Sequence, residues 1–573
     1  MARIQTRFTK VLIATALMHP SIVAAQKTID LEKGLKKSWK LSGGLSANTI
    51  FYNGNGGSGR DPFTYYLLGN LNLNIAGLID LPFSFNINNI GHQFNYPKSP
   101  QRLSVSPKYK WITAHIGDIS MNFSPYTLNG YQFRGIGIDL DPKGKFKFNV
   151  MGGRLQKAVE YDSTNRVIPV AYSRFGYGAK IEFKKEKYTL GFIAFAAKDN
   201  ANSLKDKPDS LKIFPQQNLV LSGIVNYMPA KNIELYGEYA GSALTRDLRD
   251  TTVTDYQGNS SLKYLFDTKN STSIYNAIKA GLKYSYKNSR IGVGYERIDP
   301  GYQTMGSYYF NNDLENITID IFQPFLKGKG NINANLGFQK DNLDGQKLSS
   351  TKRAVSSFTA SYAPNQKFYV TAGYSNFTTF QRVNPLFQSI NQTTQFQDTE
   401  LQDFSQVSKN ANLNVNYMFK KTAKTSNTIN LLLSFLDAAD RQGGIVKFGN
   451  GSQFYNATAS YTLTLAPKNT RITTAFNYCH NTVAKNDFTI MGPTVSINSK
   501  LSKTLSGNLV ASYNTTISGT SKENNIFNTR LGLNYNYGKK HTLALSLLNQ
   551  LRDVKDKKQT NDLVATFGYN YVF

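Results

Sequence analysis

Hydrophobic and polar residues alternate with a period of two along most of the chain, the pattern of strands whose two faces meet different surroundings. Phe175, Tyr177, Ala179, Ile181 and Phe183 alternate with Gly176, Gly178, Lys180 and Glu182. After KKEK (184–187) the parity resets, placing Tyr188, Leu190, Phe192, Ala194 and Ala196 on one face. Ile278, Ala280, Leu282, Tyr284 and Tyr286 stand opposite Lys279, Gly281, Lys283 and Ser285. Ala411, Leu413, Val415, Tyr417 and Phe419 stand opposite Asn412, Asn414, Asn416 and Met418, and Ala457, Ala459, Tyr461, Leu463 and Leu465 repeat the pattern. These segments are longer than the ~5–6 residues common in soluble sheets and suit tilted membrane strands of ~9–11 residues. Their apolar faces carry an aromatic near one end, at Tyr286, Tyr362, Phe419 and Tyr537, where an interfacial girdle belongs.

The connections alternate short and long. DPKG (141–144), KKEK (184–187), PAKN (229–232), KNS (287–289), QPFLKGKG (323–330), APNQK (363–367), KKTAKTSN (420–427), APKN (466–469), SKT (502–504) and GKK (538–540) are short and rich in Lys. Between them lie longer polar stretches near 154–171, 198–217, 243–276, 299–315, 340–354, 377–410, 437–452, 480–487, 516–527 and 550–561. Short turns on one rim and long loops on the other predict an all-β fold, a transmembrane antiparallel up-and-down β-barrel with short periplasmic turns and long extracellular loops. Counting back from Phe573 and adding segments near 41–52, 64–76, 81–90, 103–107, 110–118 and 131–140 predicts about 26 strands; Pro82 and Pro107 interrupt the pattern in 77–118 and widen the range to 22–26.

Residues 1–10 hold Arg3, Arg7 and Lys10, residues 11–18 are apolar, and Val23, Ala24 and Ala25 follow. This is the layout of a signal peptide cleaved after Ala25. The expected organisation is a signal peptide at 1–25, a short periplasmic segment at 26–40 and a single barrel over 41–573. The segment 26–40 is too short for the plug domain of a TonB-dependent transporter. A lone cysteine, Cys479, excludes a disulfide framework and cysteine-rich metal sites. The five histidines, His19, His92, His115, His480 and His541, form no HxH or HxxxH pair, so no metal site and no cofactor are expected.

At the C-terminus Leu563, Ala565, Phe567, Tyr569, Tyr571 and Phe573 make one unbroken apolar face. This resembles the terminal strand of bacterial outer-membrane proteins, and the resemblance implies that Tyr569, Tyr571 and Phe573 form the signal read by the barrel-assembly machinery. The Asn- and Tyr-rich strands, the Lys-rich turns and DPGYQTMGSYYFNNDLEN (299–316), read as an outer loop, are similar to large outer-membrane barrels of the Bacteroidota. Some barrels of that group serve secretion or gliding systems.

The polar faces hold Arg174, Lys180, Glu182, Glu234, Glu238, Lys279, Lys283, Arg290 and Glu296. These are the lumen-facing candidates, because charge on a lipid-facing surface is costly near mid-bilayer. Glu234 and Glu238 are read as lumen charges balanced by Lys rather than as an acid–base pair. No nucleophile motif or phosphate-binding glycine loop is present, and no catalytic residue is assigned. A net charge of +29 without a basic–aromatic groove does not indicate nucleic-acid binding. The expectation is a non-enzymatic, porin-like channel for polar solutes in the bacterial outer membrane with a weak anion preference, contacting lipid and the assembly machinery. The alternative is a non-conducting accessory or structural barrel that partners an envelope secretion or surface complex. Loop 377–410 could fold inward under either reading.

Overall fold

A computed structural model of the chain describes residues 39–55, 61–89, 101–163, 170–205, 211–253, 266–308, 310–346, 352–376, 379–381, 405–442, 445–483 and 486–573. The expected signal peptide at 1–25, most of 26–40 and most of the expected loop 377–410 therefore lie outside the described residues. The described strands form one antiparallel sheet of 28 hydrogen-bonded segments. Arg102–Val105 and Lys108–Tyr109 share one position in it, both lying between Ile79–Asn88 and Ile112–Asn122. Phe368–Ser375 and Thr379–Gln381 likewise share one position beside Ser405–Lys421. The wall thus has 26 positions, as the alternation predicts. It closes where Lys40–Gly54 pairs with Thr560–Val572, from Gly44↔Val572 to Gly54↔Asp562. Phe573 N–H adds a bond to Gly43 O at 3.0 Å. Closure leaves no unpaired edge among the described strands, which is what a sheet needs in lipid, where no water can bond the backbone.

The outer surface is apolar. Leu190, Phe192, Val225, Tyr239, Leu282, Ile291, Val293, Ile317, Ile319 and Leu336 are exposed there. No helix among the described residues is long and apolar enough to cross a membrane. Aromatics gather beside the short turns: Phe146–Phe183 at 4.9 Å between ring centroids, Phe325–Tyr362 at 6.1 Å and Phe368–Tyr417 at 6.3 Å. The Lys-rich turns sit where expected. The tightest use left-handed backbone, as at Asn469 (φ 45°) and Gly538 (φ 62°), residue types that tolerate it.

Two expectations are corrected. The stretches 437–452, 480–487, 516–527 and 550–561 are mostly strand, not loop. Thr425–Gln442 and Ile445–Leu465 stay paired up to Gln442↔Ile445, Thr470–Val483 and Asn486–Lys500 up to Val483↔Asn486, and Leu505–Ser518 and Ser521–Tyr537 up to Ser518↔Ser521. Backbone pairing continues past the point where side-chain alternation ends, because a ladder in water no longer needs one apolar face. The strands near 103–107 and 110–118 are also redrawn. The first is broken at Ser106–Pro107, where Ser106 N–H donates to Pro82 O at 2.8 Å and Ala114 N–H to Pro107 O at 2.9 Å. Carbonyls of the two prolines are thus used where their absent N–H groups cannot be.

Candidate constriction inside the barrel

Strands between residues 112 and 245 depart from simple alternation because their inner face is apolar too. Ile119, Met121, Tyr131, Phe133, Met151, Leu155, Ile193, Phe195, Ala197 and Leu244 form one buried cluster with Phe123, Leu128 and Met305. Val220, Ala240, Ala277 and Ile298 form a second with Tyr126 and Tyr302. What covers this wall is the chain itself. Residues 123–128, joining Ile112–Asn122 to Asn129–Leu140, fold into the barrel. Residues 299–308 and 310–313, following Ser289–Ile298, fold in beside them. The reading of 299–316 as an outer loop is therefore corrected: Tyr302, Met305 and Phe310 have an apolar inner wall to bury against, and burial outweighs exposure to water.

Polar groups lock the two segments together and to the wall. Asn129 N–H donates to Gly306 O at 2.9 Å. Tyr302 OH donates to Tyr126 O at 2.8 Å and Thr304 Oγ1 to Thr127 O at 2.6 Å. From the wall, Asn218 accepts from Met305 N–H at 3.1 Å, and Ser242 Oγ donates to Gln303 O at 2.7 Å. Tyr126 OH donates to Glu296, and Lys180 Nζ to Phe123 O at 3.1 Å. Small residues make room: a Cβ at Gly306 would lie 2.5 Å from Thr127 O, and one at Gly178 2.8 Å from the Phe123 ring. Burial pushes the Tyr302 phenol upward, with Glu238 adding to it, and burial followed by Glu296 does the same to Tyr126. Both rings thus stay neutral hydrogen-bond donors.

The charged candidates are held in different ways. Arg174 forms a two-pronged pair with Asp199, at 2.7 and 3.0 Å, under the buried cluster. Lys180 pairs with Glu182 at 3.0 Å, and Lys283 with Glu234 at 3.3 Å while lying 4.5 Å from the Tyr236 ring centroid. Glu238 accepts from Ser222 at 2.8 Å. Lys279 and Glu296 line a cavity beside the second inward segment. Arg290 stands apart, exposed near the short-turn rim. Tyr569, Tyr571 and Phe573 run along the closing strand: Tyr569 OH lies 2.8 Å from His541 Nδ1, and the Tyr571 and Phe573 rings meet edge to face at 4.7 Å. Asn218, Ser242, Tyr126 and Tyr302 are absent from the sequence-level set. The sequence signal for an apolar inner wall that needs covering is the run of apolar residues at both parities in 190–197.

Along the remaining wall, amides and hydroxyls bond across strands. Asn331 donates to Ser361 at 2.8 Å, Asn430 to Asn414 at 2.6 Å, Asn477 to Thr494 at 3.0 Å and Gln550 to Asn528 at 2.9 Å. One side of the barrel is thus filled by apolar segments; the remaining wall mixes these amides and hydroxyls with a small apolar cluster of Ile50, Tyr66, Leu548 and Val564 and with charged groups such as Arg552, which donates to Gln550 at 3.1 Å.

No protein-family model matches the chain, and no curated protein does. Solved barrels align with it at low identity. The P pilus usher (PapC) translocation pore is 10% identical over 93% of this chain and 99% of its own, with a TM-score of 0.37. The copper transporter OprC is 9% identical over 93% and 81%, also at 0.37. OprD of Pseudomonas aeruginosa is 10% identical over 63% and 90%, at 0.28. Likeness at this level carries no argument about cargo; the barrel assignment stands on the closed sheet and its apolar exterior.

Proposed function

We propose that the chain is a porin-like outer-membrane channel for polar solutes, narrowed on one side by the two inward segments. The observation that carries this reading is the inner wall of Asn, Gln, Ser and Thr opposite the apolar constriction. Such groups exchange hydrogen bonds with water and polar solutes at little cost, whereas a lumen meant only to be filled has no use for them. The reading includes export through residues 1–25, residence in lipid, and insertion by the barrel-assembly machinery through Tyr569, Tyr571 and Phe573.

A weak anion preference completes it. The inner pairs Arg174–Asp199, Lys180–Glu182 and Lys283–Glu234 cancel their own charge. The positive balance then rests on exposed lysines of the short turns, whose reach is limited by screening over ~8 Å at physiological salt. Planar-bilayer recording tests this. Conductance with modest anion selectivity that fades as salt rises is expected. Folded protein that passes no current would refute the channel and leave the accessory barrel; cation selectivity would refute the charge assignment.

A further inference from the structure

At the short-turn mouth, beside turns 466–469 and 502–504, lies a cavity of about 530 Å³, within the range of about 300–1,000 Å³ of small-molecule sites. Arg471, Lys500 and Lys503 line it, and no carboxylate does among the described residues. All three cations are exposed, and none forms an ion pair among the described residues. Arg471, Asn498 and Asn508 stand in one register row, Arg471↔Asn498 and Asn498↔Asn508. Ile497 and Leu509, one position away, are exposed on the apolar outer surface, so this row faces the lumen. Lys500 lies on the same inner face, paired in register with Ser506. Lys503 sits on a fixed turn: Ser502 Oγ accepts from Thr504 N–H at 3.2 Å and Leu505 N–H at 3.0 Å, and Asn536 N–H donates to Thr504 O at 2.8 Å. The Asn536 amide oxygen accepts from Thr542 at 2.9 Å, which leaves its nitrogen as the group it can offer. The side chains of Asn498 and Asn508 have no hydrogen-bond partner among the described residues, and both amides can donate.

The charge here has one sign. Between residues 454 and 552 the only acids are Asp487 and Glu523. Asp487 and Lys500 stand at opposite ends of the 15-residue strand Asn486–Lys500, roughly 45 Å apart at ~3.3 Å per residue, several times the ~8 Å screening length. Lys468, Lys539 and Lys540 on the adjoining turns add to the field. The rim at 141–147 differs, because Lys147 pairs there with Asp141 at 2.7 Å.

We infer that this cavity binds small solutes carrying a phosphate group, inorganic phosphate and sugar phosphates. The Arg471 guanidinium can take two phosphate oxygens at once. Lys500 and Lys503 offset the remaining charge, and the amide N–H groups satisfy the outer oxygens. A neutral sugar meets the same amides but leaves the cations unused. The inference deepens the channel reading and rests on it for the route by which the solute arrives.

Calorimetric titration of the full-length folded barrel with inorganic phosphate, glucose 6-phosphate and glucose, in a phosphate-free buffer of low salt, tests it without requiring conduction. Saturable binding is expected for the first two and none for glucose. Arg471→Gln should weaken phosphate binding by roughly tenfold or more, the loss of charge-assisted hydrogen bonds, and Lys503→Gln should weaken it severalfold. Lys367→Gln, on a short turn outside the cavity, should leave it within about twofold, which separates a site from the diffuse charge of the rim. Each variant is first checked for a heat-modifiable gel shift, and Lys503→Gln carries the test if Arg471→Gln does not fold. No saturable phosphate binding, glucose bound as tightly as glucose 6-phosphate, parental binding in the folded cavity variants, or an equal loss in Lys367→Gln would overturn the inference. Binding without current would sink only the channel; current without binding would sink only this site.

Discussion

Replacing Tyr302 by Ala should loosen the second inward segment and widen the passage. Tyr302 is fully buried. Its ring centroid lies 5.0 Å from that of Phe310 and 6.4 Å from that of Tyr126, and its hydroxyl satisfies Tyr126 O. Truncating a buried aromatic of this size costs about 3–5 kcal/mol. If that cost falls on the docked segment alone, the docked-to-undocked ratio drops by roughly 10²–10³·⁵, at tenfold per ~1.4 kcal/mol. Tyr302→Phe keeps the ring and orphans only the Tyr126 carbonyl, at about 1–3 kcal/mol. Single-channel recording should therefore show larger or noisier currents for Tyr302→Ala and a smaller change for Tyr302→Phe, with both proteins still heat-modifiable on gels. Parental conductance and noise in folded Tyr302→Ala would refute the idea that the interior packing of this ring holds the constriction in place.

Leu282→Lys should lower barrel stability by about 2–4 kcal/mol if the site is near mid-bilayer, whereas Lys283→Gln, one residue on, should cost at most about 1 kcal/mol because its pair with Glu234 is about one-third exposed; urea unfolding in lipid vesicles measures both, and the reverse ranking would overturn the facing of the strand Thr272–Tyr286. Arg174→Met should cost about 3–5 kcal/mol in the same assay, because it strands Asp199, whose side chain is 2% exposed. Deleting Phe573 removes the bond to Gly43 at the closing seam and should lower the folded yield in membranes; normal yield would argue against its assembly role.

What the sequence by itself determined is the wall. Alternation at 175–183, 278–286 and 411–419 forces a two-faced strand, and a slip of one residue would turn every side chain over. Register and facing are therefore legible from local residues, as is the Lys-rich rim of short turns. The wall's 26 positions follow once each turn is found, even where Pro82 and Pro107 split a strand. What only the tertiary structure decided is the interior. Nothing local tells residues 123–128, 299–308 or 310–313 to turn inward. That depends on apolar inner-face residues such as Ile193, Phe195, Val220 and Leu244, contributed by strands far apart in sequence, which become one surface only after the sheet has curled and closed. The same holds for the polar cavity: Glu296, Asn316, Asp320 and Asn335 sit on three neighbouring strands, and Asn311–Asp313 of the inward segment complete its lining. A strand's faces are set by its own residues, but a cavity belongs to the surfaces that closure brings together.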